Sequence, residues 1–157
     1  MTGVDGKSYQ SSQATIWRWR QAYQNDFAAR IAWTLTARFK AANHAPLAVL
    51  NGDKGFAPLR LTTKFGATIT LSADGTRDPD NNALTTKWWV YSEAGSPSCD
   101  PKLTVTDPQH ATLTVPQPAS DLPGQGPERE VHVILEVHDN GTPQLVAYRR
   151  AVITLTP

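Results

Sequence analysis

Cysteine is almost absent: the 157 residues hold one, Cys99, in a loop-like stretch, so no disulfide can form within the chain. That neither requires nor excludes an exported protein. An excess of charge is missing too. Fifteen Lys and Arg against 14 Asp and Glu leave a net charge of +1, no electrostatic footprint for nucleic acid or an acidic membrane surface. No run approaches the ~18 consecutive apolar residues of a membrane span. The opening, Met1-Thr2-Gly3-Val4-Asp5-Gly6, lacks the basic-then-apolar pattern of a signal peptide. It reads as a cut inside a longer protein, with the compartment encoded elsewhere. Proline and glycine are missing between positions 14 and 42, whereas all 12 prolines and most of the 10 glycines follow position 43.

What is present is globular in composition, at 39% hydrophobic and 18% charged residues, and long enough for one domain with a real core. Residues 1–12 are polar, and Ser11 or Ser12 is placed to cap a helix. In the segment free of Pro and Gly, Ile16, Trp19, Tyr23, Phe27, Ile31 and Leu35 recur every three or four residues, with Phe39 extending the row. That is helical spacing. Asn25-Asp26 offers a place to restart, so one bent helix or two short ones both fit. The stripe calls for burial, and Trp19, Tyr23, Phe27 and Ile31 are expected to pack on the rest of the chain or on a second copy of it.

Asn43-His44-Ala45-Pro46 ends the helix, because proline disfavours helix in the residue before it. The apolar period then changes from about four to two. Segments 47–50, 59–62, 67–72, 84–91, 103–106, 111–115, 130–138 and 146–156 read as strands, separated by dense turn chemistry at 75–82 and 139–143. Seven or eight short strands predict a β-sandwich over 44–157, preceded by a helical connecting segment over 1–43.

Two segments carry a resemblance. Ser72 to Trp88, with its Asp74-Gly75-Thr76-Arg77-Asp78-Pro79-Asp80-Asn81-Asn82 core, and the later Val137-His138-Asp139-Asn140-Gly141, resemble the polycystic-kidney-disease-type (PKD-like) branch of the immunoglobulin fold. On that match Trp88 is the core tryptophan of the third strand, and Asn81 stands where glycine is usual, a position asparagine can fill because it tolerates left-handed backbone. A second resemblance covers nearly the whole chain from about Gly6. Ala14-Thr15-Ile16-Trp17-Arg18-Trp19-Arg20, Gln24 to Arg30, Ala42 to Pro46 and Trp88 to Gly95 are similar to a family of secreted bacterial proteins. These carry an N-terminal nucleoside-hydrolase-like domain and a C-terminal sandwich designated cellulose-binding. The resemblance implies that this chain is the C-terminal part with its connecting helix. It implies an extracellular or periplasmic location and the hydrolase-like domain as partner. The aspartate-rich calcium site of the hydrolase-like half is not in this chain, so no catalytic residue carries over.

With Trp88 in the core, strand alternation turns Trp89 and Tyr91 outward. In segment 130–138, Val131, Val133, Leu135 and Val137 face inward and His132, Ile134, Glu136 and His138 outward. These strands are neighbours in an immunoglobulin-like sheet, so Trp89, Tyr91, Glu93, His132, Glu136 and His138, with Tyr148 beside them, make a candidate ligand face. Flat aromatics flanked by carboxylates and imidazoles suit a sugar ring, whose C–H face stacks while its hydroxyls take hydrogen bonds. The alternative is that the helical segment or the missing domain packs there. Asp74, Asp78, Asp80 and Asp139, with Asn140, lie in two loops at one end and could hold calcium, a hard cation taking 6–8 oxygens. Asp-Pro-Asp and Asp-Asn-Gly are also ordinary turn formers, the favoured explanation, so no cofactor is assigned. The four histidines lack zinc spacing. Glu93 and Glu136 form no enclosed glycosidase pair, and no triad, metal set or phosphate loop is present. The residues therefore favour a non-catalytic module that binds polysaccharide such as cellulose or another β-glucan. The alternative is a structural domain that packs on, or dimerises, the hydrolase-like half.

Overall fold

The computed structural model describes residues 7–11, 13–96, 100–117 and 129–157. Cys99 and Ser12 lie outside them. Among the described residues seven strands form two facing sheets behind an N-terminal helical segment. The strands are β1 (Leu59–Lys64), β2 (Thr68–Ser72), β3 (Thr85–Val90), β4 (Lys102–Asp107), β5 (His110–Thr114), β6 (Arg129–His138) and β7 (Val146–Thr156). One sheet runs β1-β7-β6-β3, with β1 parallel to β7 and the rest antiparallel; the other runs β2-β5-β4. The predicted strand at 47–50 is absent. Leu47 and Leu50 make only isolated bridges, to Arg77 and Asp53, because the Asn51-Gly52 turn folds the segment back on itself.

Alternation decides the core. Trp88 from β3, Val131, Val133, Leu135 and Val137 from β6, and Ala151, Ile153 and Leu155 from β7 meet Leu71, Ala111 and Leu113 of the opposite sheet. Trp88 is 7% exposed and donates its indole N–H to the carbonyl of Pro108 at 3.3 Å. Asn81 takes the left-handed conformation expected of it, at φ 62°.

The helical segment breaks earlier than Asn25-Asp26. Helix α1 (Ala14–Trp17) gives way at Arg18 and Trp19 to α2 (Arg20–Leu35). Asn25 and Asp26 sit mid-helix, their side chains bonded one turn away to Gln21 and Arg30. Ser11 is not the cap residue; its Oγ accepts the N–H of Gln13, which stands at the cap. The buried stripe is also rotated from the apolar one. Ala29 is fully buried and Ala22, Asn25, Ala32 and Trp33 are partly so, whereas Tyr23, Phe27 and Ile31 are exposed. The expectation that those three pack on the sandwich is therefore corrected. Small alanines let the helix backbone approach closely, and polar anchors hold it there. Asn25 donates to the carbonyl of Gln144, and Trp33 Nε1 donates to the carbonyl of Asn43, each at 2.8 Å. Of the predicted contacts on the sandwich, Trp19 makes its own.

Candidate functional site

Pairing between β3, β6 and β7 builds the outer face row by row: Lys87–Glu136–Tyr148, then Trp89–Ile134–Arg150, then His132–Val152 with Tyr91 beyond the strand end. The six predicted residues do gather here, but not as an open platform. Trp19, at the α1–α2 junction, sits over the aromatic rows, its ring centroid 5.0 Å from Tyr148, 5.8 Å from Trp89 and 6.4 Å from Tyr91. The Arg18 guanidinium lies 4.9 Å from the Trp89 ring and 5.6 Å from Tyr91, in cation–π range. It is held there by Glu93 at 2.7 Å. Burial pushes the Glu93 carboxyl up, but the hydrogen bond and charge of Arg18 outweigh it and hold the group below the usual range. His132 and Glu136 are buried, Trp89, Tyr91 and His138 half-buried, and only Glu93 is exposed. The helical segment thus occupies the face that alternation had left for a ligand, because an aromatic surface of this kind is most stable out of water.

Beneath the cover the polar groups pair with one another. Trp89 Nε1 donates to Glu136 Oε1 at 2.7 Å, and Glu136 Oε2 meets His138 Nε2 at 3.1 Å. Burial, aided by the Glu136 charge, pushes the Tyr148 phenol up to about 12. Arg150 Nε donates to His132 Nδ1 at 3.0 Å, which makes Nδ1 an acceptor and places the ring proton on Nε2, toward Glu130 Oε2 at 3.3 Å. A second proton would point at a guanidinium. Burial first, then the Arg150 charge, lowers the His132 pKa.

A depressed histidine stabilises the fold above its unfolded pKa of about 6.5, and that contribution is lost as pH falls through its lower folded value. His110 has the opposite sign: the hydrogen bonds its ring donates to Asp107 and then Asp74 raise its pKa, so its contribution is present in acid and lost as pH rises. His132→Asn keeps an acceptor for Arg150 without a titrating ring, while His110 is common to both proteins. Melting temperatures from pH 8 to 5 should therefore fall less steeply in the variant. Equal slopes would show that His132 is not the group responsible.

The loop aspartates are committed to local bonds. Asp139, 1% exposed, accepts the N–H groups of Gly141 and Leu145 on Oδ1, at 3.0 and 2.9 Å, and Asn43 Nδ2 on Oδ2 at 2.8 Å. Asp78 Oδ1 accepts from Asp80 and Asn82, while its Oδ2 is buried without a hydrogen-bond partner among the described residues. Asp80 holds His44 through both the backbone N–H and the ring, and Asp74 pairs with His110 in a separate cluster with Asp107. Among the described residues no three His, Cys, Asp or Glu side chains form a group suited to a metal ion. Asn43 is the hub: it also bonds the Pro143 carbonyl and Asn82. A Cβ on Gly141 would lie 2.2 Å from its amide nitrogen, so only glycine fits there.

Beside this hub, between a 3-10 turn at Phe39–Ala41 and the two loops, lies an open cleft of about 500 Å³. Its walls include Phe39, Lys40, Asp80, Asn81, Asn82 and Thr142. The residue pattern gave no sign of it beyond the turn character of Asn81. Tyr91 and His132 also line a smaller cleft of about 220 Å³ at the other end of β3.

The family model described as the C-terminal domain of the cellulose-binding protein Sde0182 matches residues 68–155, from β2 through β7. A nucleoside hydrolase-related hypothetical protein from Saccharophagus degradans, associated with carbohydrate metabolism, superposes with a TM-score of 0.83 at 35% identity. The superposition covers 94% of this chain and 34% of that one, so the chain spans about a third of that relative. Extracellular cadherin domains 3–6 of protocadherin gamma B2 align at 20% identity and TM-score 0.38, over 71% of this chain and 24% of theirs. No curated protein matches.

Proposed function

The chain belongs to the family of C-terminal domains of Sde0182-type cellulose-binding proteins, and we propose that it is a non-catalytic module that binds β-glucan beside a hydrolase-related domain outside the cell. The observation that carries this reading is the family match across both sheets, 68–155. The state of the carboxylates supports the non-catalytic part. Glu93 is held by Arg18 and Glu136 by Trp89 and His138, so neither is poised as a general acid or base. Purified chain should sediment with insoluble cellulose and be released by soluble β-glucan; protein that stays in the supernatant would overturn the reading. Calcium has no part in it. Asp139 and Asp78 each spend an oxygen on turn N–H groups, while Asp80 holds His44 and Asp74 pairs with His110. Millimolar calcium should therefore leave the melting temperature where a chelator leaves it.

A second reading rests on the outward stripe of α2, where Tyr23, Phe27 and Ile31 are 47%, 65% and 46% exposed. Its occupant is the hydrolase-related domain, since the relative carries about twice as much further chain. In the longer protein, Phe27→Ser with Ile31→Ser should loosen this docking and speed limited proteolysis between the halves. An isolated chain that dimerises, and becomes monomeric on those substitutions, would make a second copy the occupant instead.

A further inference from the structure

The geometry points to the cleft at the loop end of the sandwich as the saccharide site, with one pyranose unit stacked on Phe39 and hydrogen-bonded by Asn81, Asn82 and Thr142. This rests on the β-glucan reading above and assigns it a place other than the sheet face, which Trp19 and Arg18 fill.

Recognition of a neutral sugar needs a flat apolar surface held at a set angle and planar polar groups with spare hydrogen-bonding capacity. Phe39 supplies the first. One face stacks on His44 with centroids 3.8 Å apart and planes 3° apart, and His44 stacks in turn on Trp33 at 5.3 Å and 8°. Trp33 is tied to the Asn43 carbonyl and His44 to Asp80, so both inner rings are fixed at their polar edges. Phe39, the outer ring, remains 54% exposed. Its orientation is set before any ligand arrives, which reduces the entropy cost of binding.

The polar groups have capacity left. Asn82 spends its amide N–H on Asn43 Oδ1, which fixes the side chain and leaves the Asn82 carbonyl oxygen without a donor among the described residues. The side chains of Asn81 and Thr142 make no hydrogen bond there either, and both border the cleft. Asn81 is presented by its left-handed backbone. An opening of about 500 Å³ falls within the range of ligand sites, ~300–1,000 Å³, and its open form suits a polymer that continues past the contact.

The test is calorimetric titration of the chain with cellohexaose, with circular-dichroism melts confirming that each variant folds. Phe39→Ala removes the stacking ring. Asn81→Gly removes the amide without backbone strain, because glycine adopts a positive φ freely. Phe56, fully exposed in a loop away from the cleft, serves as the control aromatic. Phe39→Ala and Asn81→Gly should each weaken binding by about tenfold or more, with Phe56→Ala within about twofold of wild type. Wild-type binding unchanged in both cleft variants would overturn this site and leave the β-glucan reading standing. No binding by the wild-type chain would overturn both.

Discussion

Trp88→Ala should destabilise the protein by ~3–5 kcal/mol, the range for truncating a large aromatic in a packed core. Trp88 is 7% exposed, faces Leu135 across the β3–β6 ladder, and belongs to the apolar cluster linking the two sheets. Its loss leaves a cavity at the sheet interface and removes one of the two donors to the Pro108 carbonyl, the Thr86 hydroxyl remaining. Its neighbour provides the contrast. Trp89 faces the other way, under Trp19, and is only half-buried, so Trp89→Ala should cost less even though it breaks the bond to Glu136. Urea unfolding of both variants measures this directly. A larger loss at position 89 than at 88 would mean that β3 is one residue out of register, since a single-residue slip exchanges the two faces.

Asp139→Ala should be comparably costly, by about 3 kcal/mol or more, for a different reason. The carboxylate satisfies the N–H groups of Gly141 and Leu145 and the Asn43 amide in a site with almost no solvent access. Removing it strands buried donors, each worth ~1–3 kcal/mol when unsatisfied. Asn43→Ala should destabilise too, because the same side chain joins Asp139, Pro143 and Asn82. The two side chains act as one network, so the double variant should lose clearly less than the sum of the single losses. Additive losses would show that the hub is not a coupled unit.

Much of the fold was legible because strands announce themselves locally. Alternation in 130–138 follows directly from side chains leaving a pleated strand on opposite faces, and it correctly sends Val131, Val133, Leu135 and Val137 inward. The turn residues did the same for the 75–82 loop, down to the positive φ of Asn81. The segment 47–50 was misread because a short apolar run carries no record of whether a partner strand lies within reach.

The candidate face shows the limit most clearly. The chain's pattern determined that Trp89, Tyr91, Glu136 and Tyr148 would share one side of a sheet, since that depends only on period two and on which strands pair. What lies over that side depends on contacts more than 60 residues apart in sequence, such as Arg18 with Glu93 and Trp19 with Tyr148. Helix α2 was equally ambiguous. Its most apolar stripe, Tyr23-Phe27-Ile31, predicted one buried face, but the packed structure buries Ala29 and leaves that stripe exposed. Which helix face is buried is set by small side chains and well-placed polar anchors, here to the Gln144 and Asn43 carbonyls, as much as by hydrophobicity. Periodicity therefore determined the elements and their two faces, and tertiary packing alone decided which faces stayed open: the outer stripe of α2 and the cleft beside Phe39.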